Sequence, residues 1–359
     1  MHFYESTIIV SKDGLQVKSY ANEHPPGYVI AKPKYIPTDI IKSDKLPLRQ
    51  LQGREVNRFD YWIDNAELKR YINAFREAYP DYYLESDLYS TWFFVIPQKK
   101  IKEAPDGRKG VERILKLGKD ETDDYLYRVQ ELVNLIQDSG VKAKDIGVTN
   151  STLLGTYTYG RSDIDLIIYG KQNYWDVIEF MRDAKHPMLR WRNLAEWKKY
   201  YASYNAGLNF NEEQFIWQAQ RKTADGFFGE TVFSIFGVSE PGEEFVEWGE
   251  EKYTPVGEVT VKGTVVNNFH AAVRPGYYEI KDSKIVDGPS GHKVDLIVTF
   301  ARDFMLQAFN GEKIVARGLL EKVESLNGKK DDYYRVTVGY FDSYVSRIGE
   351  EFIKVDRGR

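Results

Sequence analysis

The segment Gly147–Gly170 limits the possible folds of this chain more than any other stretch. It ends in Ser162-Asp163-Ile164-Asp165-Leu166-Ile167-Ile168-Tyr169, an apolar run with two carboxylates at its front. Strand side chains alternate between faces, so Asp163 and Asp165 point one way while Ile164 and Leu166 point the other. Two like charges on one face repel unless a cation sits between them. Hard oxygen donors suit Mg²⁺ or Mn²⁺. A turn carrying Ser151 and Gly155 lies just upstream, where phosphates can be held. Metal and phosphate together point to phosphoryl or nucleotidyl transfer.

The chain has 359 residues, enough for two or three domains. It has no cysteine, which excludes disulfides and cysteine-bound zinc and fits a cytoplasmic protein. Its five histidines show no metal-ligand spacing. No apolar run is long enough to span a membrane, and the N-terminus lacks the pattern of a signal peptide. With 50 basic and 54 acidic residues the net charge is −4, so total charge does not advertise nucleic-acid binding.

The pattern along the chain predicts an α+β fold. Residues 6–10 and 15–20 form a hairpin through Lys12-Asp13-Gly14, and Tyr28–Ala31 is a strand. His24, in a Pro-Pro turn, reads as a backbone-bonded histidine rather than a ligand. Leu68, Ile72, Phe75 and Tyr79 mark a helix over 65–79. A second helix spans about 123–139, capped by Thr122 and closed at Gly140. After the Asp-x-Asp strand come a helix capped by Asn173, helices near 194–204 and 211–220, and a strand over 229–237. From Pro255 onward five strands alternate, at 257–266, 277–280, 293–300, 313–323 and 333–341. Their number and spacing predict a small OB-like β-barrel. The expected units are therefore 1–118, 119–245 and 255–359.

An apolar strand entering a Ser turn, then a strand carrying Asp-x-Asp within about 20 residues, resembles the nucleotidyltransferase superfamily of DNA polymerase beta. More narrowly it resembles an archaeal group of predicted nucleotidyltransferases that begins with a His-Pro-Pro segment. Here the matching residues are His24-Pro25-Pro26, Gly147-Val148-Thr149, Leu153-Leu154-Gly155 and Ser162–Gly170. The resemblance implies a polymerase-beta-like core with an N-terminal extension and a C-terminal barrel. It implies that Asp163 and Asp165 bind Mg²⁺ or Mn²⁺ and that an NTP is the substrate. Ser151 and its neighbour Asn150 would hold phosphates, Gly155 would allow a tight turn beside them, and Arg161 would reach a phosphate or remain a solvated loop charge.

Two departures from the family pattern stand out. Asn150 replaces the expected glycine, and no carboxylate lies inside the strand over 231–237, where a third metal ligand is expected. Glu230 at its start is the nearest substitute, and Asp225 is more remote. A catalytically inactive nucleotide- or nucleic-acid-binding protein on the same fold is thus the alternative to an enzyme. Residues 190–201 interleave Arg, Lys, Trp and Tyr, as a nucleic-acid surface does, although Leu194, Trp197 and Tyr201 equally form a helical core stripe. The barrel is the other candidate nucleic-acid surface, through Phe269, His270, Arg274, Tyr277 and Tyr278.

Overall fold

The computed structural model describes residues 2–51, 53–59, 65–203, 210–341 and 350–358. The chain opens with β1 (Ile8–Ser11), β2 (Gln16–Ser19), β3 (Tyr28–Pro37), β4 (Leu48–Leu51) and β5 (Arg54–Arg58). Then come α1 (Asn65–Ala78), β6 (Tyr83–Ser86), β7 (Thr91–Pro97) and β8 (Ile101–Glu103). These strands make one sheet, ordered β4-β5-β3-β2-β1-β8, with β7 pairing both β3 and β6. The expected hairpin is β1–β2, with Gly14 at φ 83 in its turn. In α1 the residues Leu68, Ile72, Phe75 and Tyr79 recognised by their spacing are buried, with Tyr71 beside them. His24 is a structural residue. Ile30 N–H donates to its Nδ1 at 3.1 Å, so Nε2 carries the proton and donates to the Phe3 carbonyl at 2.8 Å.

The middle unit contains α2 (Gly107–Leu115), α3 (Asp124–Gln137), β9 (Ile146–Val148), α4 (Asn150–Leu154), β10 (Ile164–Tyr169) and α5 (Lys171–Asp183). It continues through β11 (Leu189–Arg190), α6 (Leu194–Ser203), α7 (Glu212–Gln220), β12 (Asp225–Phe228) and β13 (Thr231–Val238). Its sheet is ordered β11-β12-β13-β10-β9, and only β10 and β13 are paired in parallel. Helix α2 packs on this sheet, so the unit begins before the expected boundary at 118. A Cβ on Gly110 would lie 2.6 Å from Val148 and 2.7 Å from Leu153, so glycine is what lets α2 come this close. The cap of α3 is Asp123, whose carboxylate accepts from Leu126 N–H, while the Thr122 hydroxyl turns back to the Gly118 carbonyl. Helix α5 starts two residues before Asn173, whose amide donates to the Tyr169 carbonyl instead of capping. The helix expected near 194–204 is α6, and Tyr204 lies outside the described residues.

The third sheet holds β14 (Glu251–Asn267), β15 (Gly276–Asp287), β16 (Val294–Thr299), β17 (Lys313–Ser325), β18 (Tyr333–Val338) and β19 (Phe352–Val355). Strand β14 pairs with β15 and with β17, and β16 runs parallel to β18. The strands of this unit enclose a core around Val261, Ile297, Leu320 and Val336, to which Trp197 and Phe215 of α6 and α7 add their rings, and it also shares a core with the first sheet. Tyr277, Leu296, Val298, Phe300, Tyr340 and Phe341 pack into the core of the first sheet. Three sheets and their helices thus form a mixed α+β fold.

Glu5 joins these units. It is 1% exposed, and its carboxylate meets Arg274 at 2.9 Å and Arg302 at 3.1 Å. Burial raises the carboxyl pKa, but Arg302, Arg274 and Lys18 together outweigh it and hold the value below the ordinary one. Such a depressed group stabilises the fold above the unfolded-state pKa, and the effect disappears as pH falls through the folded-state value. Glu5→Gln leaves two guanidinium groups short of their counter-ion and should cost about 3–5 kcal/mol at neutral pH. Urea unfolding of both proteins, repeated at descending pH, should show the gap closing below the carboxylate range.

Candidate functional site

Strand β10 separates its side chains as its sequence requires. Ile164, Leu166 and Ile168 enter the core beneath α3 and α5, while Ile167 and Tyr169 pack with Val238 and Tyr4 on the opposite face. Asp165 shares that opposite face, and Asp163 precedes the strand. The backbone here is clamped from below. The Tyr125 hydroxyl donates to the Asp163 carbonyl at 2.9 Å and accepts from the Thr152 hydroxyl at 2.6 Å.

Asn150 has φ 54, the left-handed conformation that glycine adopts most easily and that Asn tolerates. It also makes contacts that a glycine cannot. Its Nδ2 donates to Asp165 Oδ2 at 2.8 Å, and its Oδ1 accepts from Lys34 Nζ at 2.6 Å. A lysine of the first sheet is thereby coupled to the second aspartate. Burial pushes the Lys34 ammonium down to about 8, with Asp165 opposing. Burial and then Arg302 push Lys18 down to about 7, with Glu5 and Asp165 opposing. The Lys18 ammonium lies 5.3 Å, and the Arg302 guanidinium 3.5 Å, from the centre of the Phe236 ring.

A further carboxylate, Asp225 on β12, lies on the face that carries Asp165. In the sheet register Asp165 pairs with Ser234 on β13, and Ser234 pairs with Asp225 on β12. Lateral neighbours share a face, so Asp165, Ser234 and Asp225 form one row. Two strand spacings separate the outer Cα atoms, about 9–10 Å. Asp225 is engaged elsewhere, its Oδ1 lying 3.2 Å from Arg192 Nε. That guanidinium rests on the rings of Phe227, Tyr200 and Trp197 at 4.9, 5.1 and 5.6 Å. Burial raises the Asp225 pKa, while Arg192 and Lys222 oppose it. Burial and then the charge on Asp165 raise that of Asp163.

Asp163 and Asp225 line one cavity of about 470 Å³, within the range of small-molecule sites. Its other walls come from α6, α7 and the turn after β16, with Arg192, Lys222, Arg302 and several aromatic rings facing in. Among the described residues no group of three or more histidine and carboxylate side chains stands ready around one metal position. The donor set fits the other way in which Mg²⁺ is held, by one or two carboxylates completed by water and substrate phosphate oxygens.

The remaining expected residues are spread around this centre. Ser151 lies in the first turn of α4, half-buried, and its carbonyl accepts from Thr156 N–H. Gly155 closes the other end of α4 at φ 66, so its turn terminates the helix. Arg161 is exposed in the turn before Asp163. Glu230 is exposed at the β12–β13 turn and does not line the cavity, whereas Asp225 does. In the stretch 190–201, Trp197 and Tyr201 pack into a core. Arg190, Arg192 and Lys198 pair with Glu196, Asp225 and Glu212. Of the C-terminal candidates, Arg274, Tyr277 and Tyr278 are buried.

Sequence reasoning did not single out Lys18 or Lys34, and it read Arg192 only as part of the basic-aromatic stretch. For Asp225 one signal was present. Asp225 stands directly before Gly226-Phe227-Phe228, an apolar segment that forms a strand of its own.

No family model matches the chain, and no solved structure matches it. It is 26% identical over 361 aligned positions to an uncharacterized protein of the archaeon Methanocaldococcus jannaschii, covering 97% of this chain and 98% of that one. The likeness runs through all three sheets and carries no activity with it. Among the described residues no helix is long and apolar enough to cross a membrane.

Asn150 gives a direct test of the local backbone. Asn150→Gly and Asn150→Ala both remove the bridge from Lys34 to Asp165, but only alanine is strained at positive φ. Chemical unfolding should place the alanine variant about 1 kcal/mol below the glycine variant. Equal stabilities would mean that the left-handed turn is not held in solution.

Proposed function

We propose that this protein is a metal-dependent nucleotidyltransferase with a polymerase-beta-like core, transferring a nucleoside monophosphate from an NTP to an acceptor. The observation that carries the reading is that Asp165 and Asp225 share one face of a sheet, while Asp163 and Asp225 line a cavity with cationic and aromatic walls. In the reaction an acceptor oxygen attacks the α-phosphorus, the bond from that phosphorus to the bridging oxygen breaks, and pyrophosphate leaves. Asp163 and Asp165 would hold Mg²⁺ or Mn²⁺, which neutralises phosphate charge and acidifies the acceptor hydroxyl. Lys18, Lys34 and Arg302 supply positive charge along the entry to that centre. Arg192 can exchange Asp225 for a phosphate oxygen, a bidentate partner of the kind guanidinium groups favour. Asp225, once freed, completes the carboxylate row and takes the acceptor proton, to which its burial suits it. The paired strands β14–β18 support an OB-like barrel that presents the acceptor, a nucleic acid, a protein or a small molecule. The absence of cysteine suits a cytoplasmic setting.

A second reading rests on the Arg192–Asp225 ion pair. If it persists when nucleotide is bound, the third acid is never available, and the protein is a nucleotide-binding protein without transferase activity.

Labelled NTPs, Mg²⁺ or Mn²⁺ and cell RNA, DNA and protein should yield a labelled acceptor. Asp163→Asn/Asp165→Asn should lower labelling at least about 100-fold, equivalent to roughly 2.7 kcal/mol of transition-state stabilisation. Asp225→Asn should also lose activity yet retain nucleotide. Equal labelling by wild type and the double variant rejects catalysis at this centre. Calorimetry with Mn²⁺ and NTP should show a metal site that the double variant lacks.

A further inference from the structure

The third sheet carries a second charged surface, apart from the aspartates. Val261, Val265, Ile314, Ala316 and Ile353 point into the core of that sheet. The residues that alternate with them point outward, and strand pairing arranges these in rows. Lys284 on β15 pairs with Lys262 on β14, Lys262 with Val315 on β17, and Val315 with Lys354 on β19. In the next row Lys281 pairs with Thr264, and Thr264 with Lys313. In the row on the other side Thr260 pairs with Arg317, and Arg317 with Phe352. Neighbours in a row stand about 5 Å apart, and successive rows about 7 Å apart. Further along, the outer surface of β15 and β16 is covered, because Tyr277, Leu296 and Val298 pack against the first sheet.

Most acids near this face are already engaged. Asp356 meets Lys262 at 2.9 Å and lies close enough to Lys313 to feel its charge. Asp287 and Glu258 meet Arg317 at 2.8 and 3.7 Å. Glu279 accepts from the Asn267 amide at 2.8 Å, and Asp282 stands exposed in the bulge between Lys281 and Lys284. Lys281, Lys284 and Lys313 are exposed, and with Lys354 they have no ion-pair partner among the described residues. The face therefore holds an excess of positive charge. It also reaches the candidate site. The Lys354 ammonium is 4.3 Å from the centre of the Phe352 ring and 5.2 Å from that of Phe210. Phe210 in turn lines the cavity that holds Asp163 and Asp225, so one ring backs the lysine face and walls the cavity.

We infer that this lysine face binds a single-stranded nucleic acid and leads its end to the cavity, as the acceptor of the transfer. The acceptor role rests on the transferase reading above, and the binding does not. A phosphodiester chain offers one negative charge per nucleotide, and each phosphate that a lysine neutralises releases counter-ions, which drives binding. The Phe352 ring, at the edge of the lysine rows, is a stacking surface for an unpaired base. Lysines meet phosphates and the ring meets any base, so binding carries little sequence preference. The cavity of about 470 Å³ has the size of a small-molecule site, with room for a strand terminus and not for a duplex. An unpaired strand is therefore the form that suits both places.

Fluorescence anisotropy of the full-length protein with labelled oligo(dT) and oligo(U) tests the face without NTP or metal. At least one should bind with a Kd of about 10 μM or tighter at low salt. The logarithm of the binding constant should fall against that of the salt concentration with a slope of about −3, as four lysine–phosphate contacts on a single strand require. Lys281→Glu/Lys284→Glu should weaken binding at least about 10-fold and bring the slope to about −1.5. Lys69→Glu/Lys102→Glu makes the same change of charge on exposed positions of the first unit and should leave the Kd within about two-fold. The Asp163→Asn/Asp165→Asn protein should bind at least as well as the wild type, so a failure of the transferase reading leaves this result standing. Failure of both oligonucleotides to bind overturns the inference, as does an equal loss in the two lysine pairs. Tighter binding of a duplex than of a single strand also overturns it. Sedimentation with phosphatidylserine vesicles in the absence of oligonucleotide binding assigns the face to a membrane and overturns it too. Each of these results leaves the transferase reading in place with a different acceptor.

Discussion

Glu5 is the point on which the arrangement depends. It lies between β1 of the first sheet and the segments that follow β14 and β16 in the third. Its neighbour Ser6 has φ 69, and the Ser6 carbonyl accepts from the Thr149 hydroxyl at the start of α4. One dipeptide therefore touches all three units. An unpaired buried carboxylate would be prohibitive, so the two arginines are required, and they must come from a distant part of the sequence. The same contact aims Arg302 along the cavity wall and over Phe236. The ion cluster that holds the units together thus also sets the charge of the candidate site.

The candidate site is a set of closely spaced cations and carboxylates, the charge pattern on which the proposed nucleotide and divalent cation rest. Burial and the charge on Asp165 make Asp163 harder to ionise, and Asp225 is paired with Arg192. Lys18 and Lys34 are desolvated enough to hold their protons weakly. Lys34 and Asp165 are joined through Asn150 and Arg192 is held by Asp225, pairings that phosphate with a divalent cation would reassign. Asn150 fits this picture. It keeps the backbone conformation of a glycine and adds an amide that joins Lys34 to Asp165. What reads in the sequence as a lost glycine is, in three dimensions, a bridge between two sheets.

Much of the fold was legible because it is set by short-range patterns. Alternation placed Ile164 and Leu166 in the core and Asp165 opposite. Spacing of three and four identified α1 and α3, and Gly140 closes α3 at φ 94 as expected. Five tail strands were located, although β14 begins earlier than its alternation suggested. Boundaries moved where a long-range contact decided them. Helix α2 joined the middle sheet because Gly110 admits Val148 and Leu153, and the third sheet gave part of its apolar surface to the first. Neither event has a local signature.

The sequence by itself determined that two aspartates share one face of a buried strand, because alternation is a property of the extended backbone alone. It also determined that the chain is α+β with a β-rich end. Only the tertiary structure decided that Asp225 shares a sheet face with Asp165. Asp225 lies 60 residues beyond Asp165 in the sequence and meets it through the register of β13, a pairing set by packing between strands. The same holds for Lys34 and Arg192. Their roles arise from desolvation and from the partner each finds, quantities that exist only once the chain has closed around them.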